Sequence, residues 1–221
     1  MADPPDRGTL AWFPIVGALI GTALGAVWWG AERLWPAAVA AGLVVAADLA
    51  FTGMLHFDGL MDTADGLLPH LPREQRLAVM RQSDVGAYGV TIVVAVIGLR
   101  FAALASMQPS VWLLAGIWCA SRTTMAVISG ALAYVRDHGL ATNVVGGAWR
   151  PIGLYGLIAS VSLGAFAGAR LQEAAVASTF VGALVVALLA RRRIGGFTGD
   201  VLGAAGVVGE TVALVIAAAK W

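Results

Sequence analysis

Apolar stretches of about 20 residues recur along the chain with short polar breaks between them, a spacing that predicts membrane-crossing helices. Seven spans are expected, over residues 10–31, 36–56, 85–107, 110–134, 152–169, 172–190 and 201–219. The predicted fold is all-α: a single integral-membrane domain over residues 1–221, a polytopic bundle of about seven transmembrane helices. Residues 8–31 are charge-free and too long for a leader core, and Asp3, Asp6 and Arg7 before them are mixed in sign, so a retained span is expected. The fifth and sixth spans are short, which predicts a tight hairpin over residues 170–173. Gly17, Gly21 and Gly25 fall at a spacing of four in the first span, the small-residue stripe that lets helix backbones approach closely in lipid.

Composition agrees with a lipid-bilayer setting. Hydrophobic residues make up 59% of the chain and charged ones 12%, against about 25% charged in soluble domains. The mean hydropathy is +0.83. The net charge of +1 identifies no partner, and no nucleic-acid partner is expected. Cys119 is the single cysteine, in an apolar run, so it reads as a buried hydrophobe and not as part of a disulfide framework. The charge distribution is more informative. Seven spans put Arg7, Arg73, Arg76, Arg81, Arg136, Arg150, Arg191, Arg192 and Arg193 on one side, and Arg33, Arg170 and Lys220 on the other. That bias predicts a cytoplasmic first side, and every polar motif of the chain lies there. A multi-pass protein of the cell (inner) membrane with a cytoplasmic active site is expected.

The chemistry concentrates in residues 56–66, His-Phe-Asp-Gly-Leu-Met-Asp-Thr-Ala-Asp-Gly, with three carboxylates inside eight residues. On a helix Asp58, Asp62 and Asp65 share an arc of about 60°. Like charges that close raise one another's pKa unless a cation neutralises them. Lys or Arg three to four positions away, expected on a solvated acidic face, is missing. Mg²⁺ held by Asp58, Asp62 and Asp65 and shared with substrate phosphates is the predicted arrangement. His56 lies off this arc by helical geometry and can still reach the site if it precedes the helix start.

Other polar groups suit an anionic substrate. Arg76 and Arg81 bring positive charge beside the acids, and Gly86 and Gly89 open the third span, where bare backbone can approach a phosphate. The turn Gly195-Gly196-Phe197-Thr198-Gly199-Asp200 offers amides and a hydroxyl at a helix start, a weak anion-cradle signal. Asp48, Arg100, Arg122 and Glu210 lie inside spans, where a charge costs about 2.5–3.5 kcal/mol on insertion scales. Arg100 and Arg122 either reach toward a diphosphate or pair with Asp48 and Glu210 to hold the bundle together. His70 and His138 read as loop histidines.

Residues 56–66 resemble the His-x-Asp-Gly-Leu-x-Asp-x-x-Asp-Gly signature of the cobalamin synthase family, the adenosylcobinamide-GDP ribazoletransferases. The resemblance covers nearly the whole chain: Phe13-Pro14 with Gly17 and Gly21, Thr52-Gly53, then Arg76, Met80, Arg81, Ser83, Gly86 and Gly89. It continues through Ser121-Arg122, Tyr134, Arg136, Gly139 and Leu140, and ends with Gly195-Gly196, Thr198-Gly199-Asp200, Leu202-Gly203-Ala204 and Glu210. It implies a Mg²⁺-dependent multi-pass enzyme that transfers phosphoadenosylcobinamide from adenosylcobinamide-GDP to α-ribazole or its 5′-phosphate, releasing GMP. Asp58, Asp62 and Asp65 would hold the metal, with one of them or His56 accepting the hydroxyl proton. Arg76, Arg81 and Arg122 would bind phosphate oxygens. Ser83, Arg100, Arg136, Gly196, Thr198, Asp200 and Glu210 complete the expected substrate contacts. The chain departs from the pattern at Gln82, often Asp, and Val207, often Glu; Asp84 is expected to take over the catalytic load of the first.

Two rival readings differ in the motif. A CDP-alcohol phosphotransferase also clusters aspartates in a membrane, but its continuation, Asp-Gly-x-x-Ala-Arg followed by two more Asp at spacing four, is missing here. A transporter would have no need of the acidic triplet, and no hydropathy repeat is evident. Oligomeric state is left open, a homo-oligomer included.

Overall fold

The computed structural model describes residues 8–82, 84–136, 148–168 and 170–220. Nine helices follow one another among the described residues, and the only β pairing there is a single bridge between Tyr134 and Phe197. A 3₁₀ turn, Thr9–Trp12, leads into α1, Phe13–Ala31, whose Pro14 sits in the first turn, where no helical amide is lost. α2, Ala37–Phe51, begins after Pro36. The remainder are α3 (Leu55–Leu67), α4 (Arg73–Val79), α5 (Ala87–Ala105), α6 (Val111–Ala131), α7 (Trp149–Phe166), α8 (Arg170–Ile194) and α9 (Gly199–Ala217).

Five helices are long and apolar enough to cross a membrane: α1 with its leading turn, α5, α6, α8 and α9. The bent pair α2–α3 raises the number to six if it counts as one span. The protein is an all-α, multi-pass membrane protein. Each of the seven expected spans has a helix, but the crossings supported by length and apolarity number five or six. α7 falls outside that group because its first turn is spent on Trp149, Arg150 and Pro151. α8 is longer than expected and starts at Arg170, so residues 170–173 are its first turn and not a hairpin.

The expected span 36–56 stops five residues early. Gly53 and Met54 adopt left-handed conformations with φ of 56° and 59°, and the Met54 amide donates to the Leu49 carbonyl at 2.9 Å. This closes α2 and turns the chain by 87° into α3. Left-handed backbone at a residue other than glycine costs about 1–3 kcal/mol, so Met54 marks a bend held by its surroundings.

α6 is buried on nearly every face, against α1, α7, α8 and α9. α9 is the second inner helix, between α8, α3, α6 and α5. The outward faces of α1, α5 and α8 present Leu19, Val94, Leu99, Val181, Leu184 and Val185 to the surroundings, as lipid contact requires. The glycine stripe of α1 lies directly on α6. A Cβ at Gly17, Gly21 or Gly25 would run into the backbone of Trp118, Leu114 or Val111. Gly21→Val is therefore expected to destabilise the protein by the roughly 1–3 kcal/mol of an overpacked core or more, since backbone cannot yield as a side chain does. A thermal unfolding midpoint equal to that of the unsubstituted protein would contradict this packing.

Candidate active site

The right-angle bend carries α3 across the ends of the neighbouring helices. Its first turns meet the start of α9, where a Cβ at Gly59 would lie 2.9 Å from the Asp200 backbone and one at Gly203 would lie 3.1 Å from His56 Cα. The bare backbones allow α3 and α9 to touch and bring Asp200 to the acids of α3. α3 stands outside the five spans, and Asp62 on it is pushed up from 3.8 to about 7 by burial, then by the charges of Asp200 and Asp58; Arg136 opposes the shift. Arg136 pairs with Asp200 at 2.6 Å and donates to the Met80 carbonyl at 2.8 Å. The acidic centre is thus Asp58, Asp62 and Asp200.

Asp65 takes a different role from the one its helical arc predicts. Its two carboxylate oxygens accept the amides of Gly86 at 2.8 Å and Gly89 at 2.9 Å, the first amides of α5. A carboxylate there satisfies donors that a helix start leaves open and complements its dipole. The approach that Gly86 and Gly89 permit is therefore made by Asp65, since a Cβ at either glycine would overlap that carboxylate.

Among the described residues no three carboxylate, imidazole or thiol side chains already converge on a metal position. Asp58 and Asp62 with Asp200 nevertheless fit a hard divalent cation. Their oxygens are the right donor type, and the charge crowding at Asp62 is what a cation relieves. Mg²⁺ usually takes one or two carboxylates and draws its remaining ligands from water and substrate phosphates.

The remaining expected contacts divide. Arg76 is buried and donates to the carbonyls of Gly66 and Leu67 at 2.9 and 2.8 Å, closing the end of α3, so its charge is spent inside the fold. Arg100 is 2% exposed and lies inside the bundle. It pairs with Asp48 at 2.6 Å and Glu210 at 2.7 Å, and also donates to Thr211 and the Val207 carbonyl. Arg122 pairs with Glu210 at 2.7 Å, while its Nη2 is buried with no partner among the described residues. Two arginines and two acids form a neutral cluster, in which Arg100 and Glu210 tie helices together inside the bundle. Arg81 is exposed beyond the end of α4. Ser83 lies outside the described residues, as do His138, Gly139 and Leu140.

Thr198 is fully buried and caps α9: it accepts the Val201 amide at 3.3 Å and donates to Asp200 at 3.1 Å. The Thr198 hydroxyl, and not a bound anion, takes the Val201 amide at this helix start. Gly196 serves a clamp, because a Cβ there would strike the Ala133 carbonyl. Phe197 donates to Ala133 at 2.9 Å and accepts from Val135 at 3.0 Å, fixing the segment that carries Arg136 against the start of α9.

His56 is the second residue of α3 and so does not precede the helix. Its side chain faces a cavity of about 240 Å³ lined also by Phe13, Leu55, Met125, Tyr134, Arg136, Asp200 and Leu202. Burial, then the nearby Arg122 charge, lowers its pKa to about 4, so the imidazole is neutral at physiological pH.

The family model for cobalamin-5-phosphate synthase matches residues 5–218. The chain belongs to the cobalamin-5-phosphate synthase family. A protein of Bradyrhizobium diazoefficiens called adenosylcobinamide-GDP ribazoletransferase is 35% identical, over 96% of this chain and 83% of its own length. One of the same name from Leptothrix cholodnii is 34% identical, over 87% and 78%, and one from Escherichia coli O17:K52:H18 is 31% identical, over 95% and 87%. No solved structure matches this chain.

In this cobalamin-5-phosphate synthase family member, Gln82 and Asp84 are both exposed between α4 and α5. Asp84 neither caps α5, whose N-cap is Gly86, nor joins the carboxylates. The load assigned to it from sequence therefore has no structural support. Asp84→Asn should leave stability within about 0.5 kcal/mol, as for an ordinary surface change, and turnover near that of the parent. Asp65→Asn should instead cost roughly 1–3 kcal/mol, because one of the two amides, part-buried Gly86 or buried Gly89, loses its acceptor. Paired unfolding and turnover measurements on the two variants check both statements, and a turnover collapse in Asp84→Asn would reverse the assignment. The cavity wall of Phe13, Leu55, Met125 and Tyr134 was not legible as a site. Phe13 and Tyr134 carried the only signal, as members of the resembling blocks.

Proposed function

We propose that this chain is an adenosylcobinamide-GDP ribazoletransferase of the cell inner membrane with its active site toward the cytoplasm. It passes the phosphoadenosylcobinamide group to α-ribazole or its 5′-phosphate. The observation that carries the reading is the crowding of Asp58, Asp62 and Asp200 beside a half-open cavity at one end of the bundle. The names of relatives similar along most of the chain support it, and Arg73, Arg136, Arg191, Arg192 and Arg193, gathered at the end that carries the acids, support the orientation.

In this reaction a ribazole hydroxyl oxygen bonds to the phosphorus attached to cobinamide. The bond from that phosphorus to the bridging oxygen breaks, and GMP leaves with the electron pair. Such a transfer is catalysed chiefly by positioning and by neutralising charge on phosphoryl oxygens. Mg²⁺ held by Asp58, Asp62 and Asp200 would supply that neutralisation. One of the three carboxylates accepts the hydroxyl proton. Arg136, held by Asp200, presents charge at the rim for a phosphate. Arg81, exposed at the same end, is a second candidate. No side chain is required as a covalent nucleophile.

The test is GMP release from the purified chain in lipid nanodiscs with adenosylcobinamide-GDP and α-ribazole, with and without Mg²⁺. Release that needs both substrates and the cation is expected. GMP formation that ignores ribazole would refute a transferase, and transfer undiminished in chelator would remove the metal. A CDP-alcohol phosphotransferase would release CMP from a CDP-activated alcohol instead.

A further inference from the structure

We propose that the cavity beside the carboxylates is the acceptor-base subsite, seating the flat bicyclic base of ribazole with its ribose toward Asp200. The inference rests on the ribazoletransferase reading and adds to it which substrate part the cavity takes, and with which residues.

The wall selects the ligand class. Phe13, Leu55, Met125, Tyr134 and Leu202 present hydrocarbon and aromatic surface. Gly199 and Gly203 complete the lining with bare backbone, so the space between helix ends is open to a flat ring. A volume of about 240 Å³ suits a bicyclic base and is far too small for a corrin ring with its side chains.

Polarity decides between the two bases present in the reaction. Guanine displays several donors and acceptors along its edge, and burying them without partners is costly. In this wall Arg136 and Thr198 both hold Asp200 Oδ2, at 2.6 and 3.1 Å, so Asp200 Oδ1, the buried Arg136 Nε and His56 are the polar atoms left for a ligand, fewer than the guanine edge displays. Ribazole is the riboside of a dimethylated benzimidazole, whose edge is methyl and ring carbon with one free ring nitrogen. The wall offers that nitrogen a counterpart in His56, whose imidazole has no hydrogen-bond partner among the described residues. Asp200 belongs both to the cavity wall and to the acidic centre. A nucleoside with its base inside therefore delivers its ribose to where phosphoryl oxygens must be held.

Met125 reports on this seat, being 2% exposed and part of the wall without belonging to the acidic centre. The experiment uses the full chain in nanodiscs at saturating adenosylcobinamide-GDP. It compares ribazole with the riboside of unsubstituted benzimidazole. Met125→Phe should raise the KM for ribazole about tenfold more than that for the smaller acceptor, the discrimination a methyl-sized difference typically gives. Met125→Ala should relax the preference, and the KM for adenosylcobinamide-GDP should stay unchanged in both. An equal loss for both acceptors, or a shift confined to the KM for adenosylcobinamide-GDP, overturns the assignment, the latter in favour of guanine.

Ribazole binding without the donor, followed by tryptophan fluorescence, separates the two layers of the inference. Binding that Met125→Phe weakens supports the subsite even if no GMP is released, in which case only the transferase reading fails. No ribazole binding, or binding that added short-chain lipid abolishes, overturns the subsite.

Discussion

Asp62→Asn is expected to lower the rate of GMP release by about 10²–10³-fold while the protein stays folded, the size of loss typical when one group neutralising transition-state charge is removed. Burial, and then the charges of Asp200 and Asp58, raise the Asp62 carboxyl at one end of the bundle. A carboxyl held near pH 7 in the folded protein and near 3.8 elsewhere keeps its proton longer when folded. It therefore costs stability as pH climbs through that interval. The parent protein should lose thermal stability between about pH 4 and pH 7, and Asp62→Asn should lose less. Mg²⁺ should restore the parent at pH 8 and leave the variant nearly unmoved. Unfolding midpoints across pH, with and without the cation, test this independently of turnover. A variant that tracks the parent at every pH would mean that Asp62 is not the crowded group.

Arg100→Ala should be the most damaging single change. Arg100 serves Asp48, Glu210, Thr211 and the Val207 carbonyl at once. Its removal leaves two carboxylates in the bundle interior with one remaining cation, Arg122, beside Glu210. Breaking a buried pair from one side costs about 3–5 kcal/mol, comparable with the whole stability of many domains. The expected result is little monodisperse protein from detergent extraction. Arg100→Lys should recover only part of it, since one ammonium cannot spread over four acceptors as the guanidinium fork does. A well-folded Arg100→Ala protein would show that the quartet is dispensable.

Span positions were legible because lipid imposes a length and an apolarity that few other settings require. The break between α2 and α3 was not, since hydropathy runs on through Phe51, Met54 and Leu55 while the backbone turns at Gly53 and Met54. The acids were legible as a group, but their division was not. Helical periodicity puts Asp65 on the same arc as Asp58 and Asp62, yet α5 supplies two amides to one end of that arc and α9 supplies Asp200 to the other. A pattern within one helix carries no information about what its neighbours bring. The same holds for Arg76, whose buried donation to the end of α3 reads in sequence as free positive charge. For Arg100 and Arg122 the sequence left pairing and substrate binding open, and the choice depended on Asp48 and Glu210 lying at the same depth.

The quartet also orders the birth of the protein. Asp48, Arg100 and Arg122 leave the ribosome long before Glu210, so a chain halted ahead of α9 places two arginines in the bilayer with a single acid between them. Such an intermediate has reason to remain at the insertion machinery, where water can still reach its charges. Arrival of α9 neutralises the interior and, in the same step, brings Asp200 to Asp58 and Asp62. Neutralisation of the interior and the approach of Asp200 to Asp58 and Asp62 therefore both wait on the last helix.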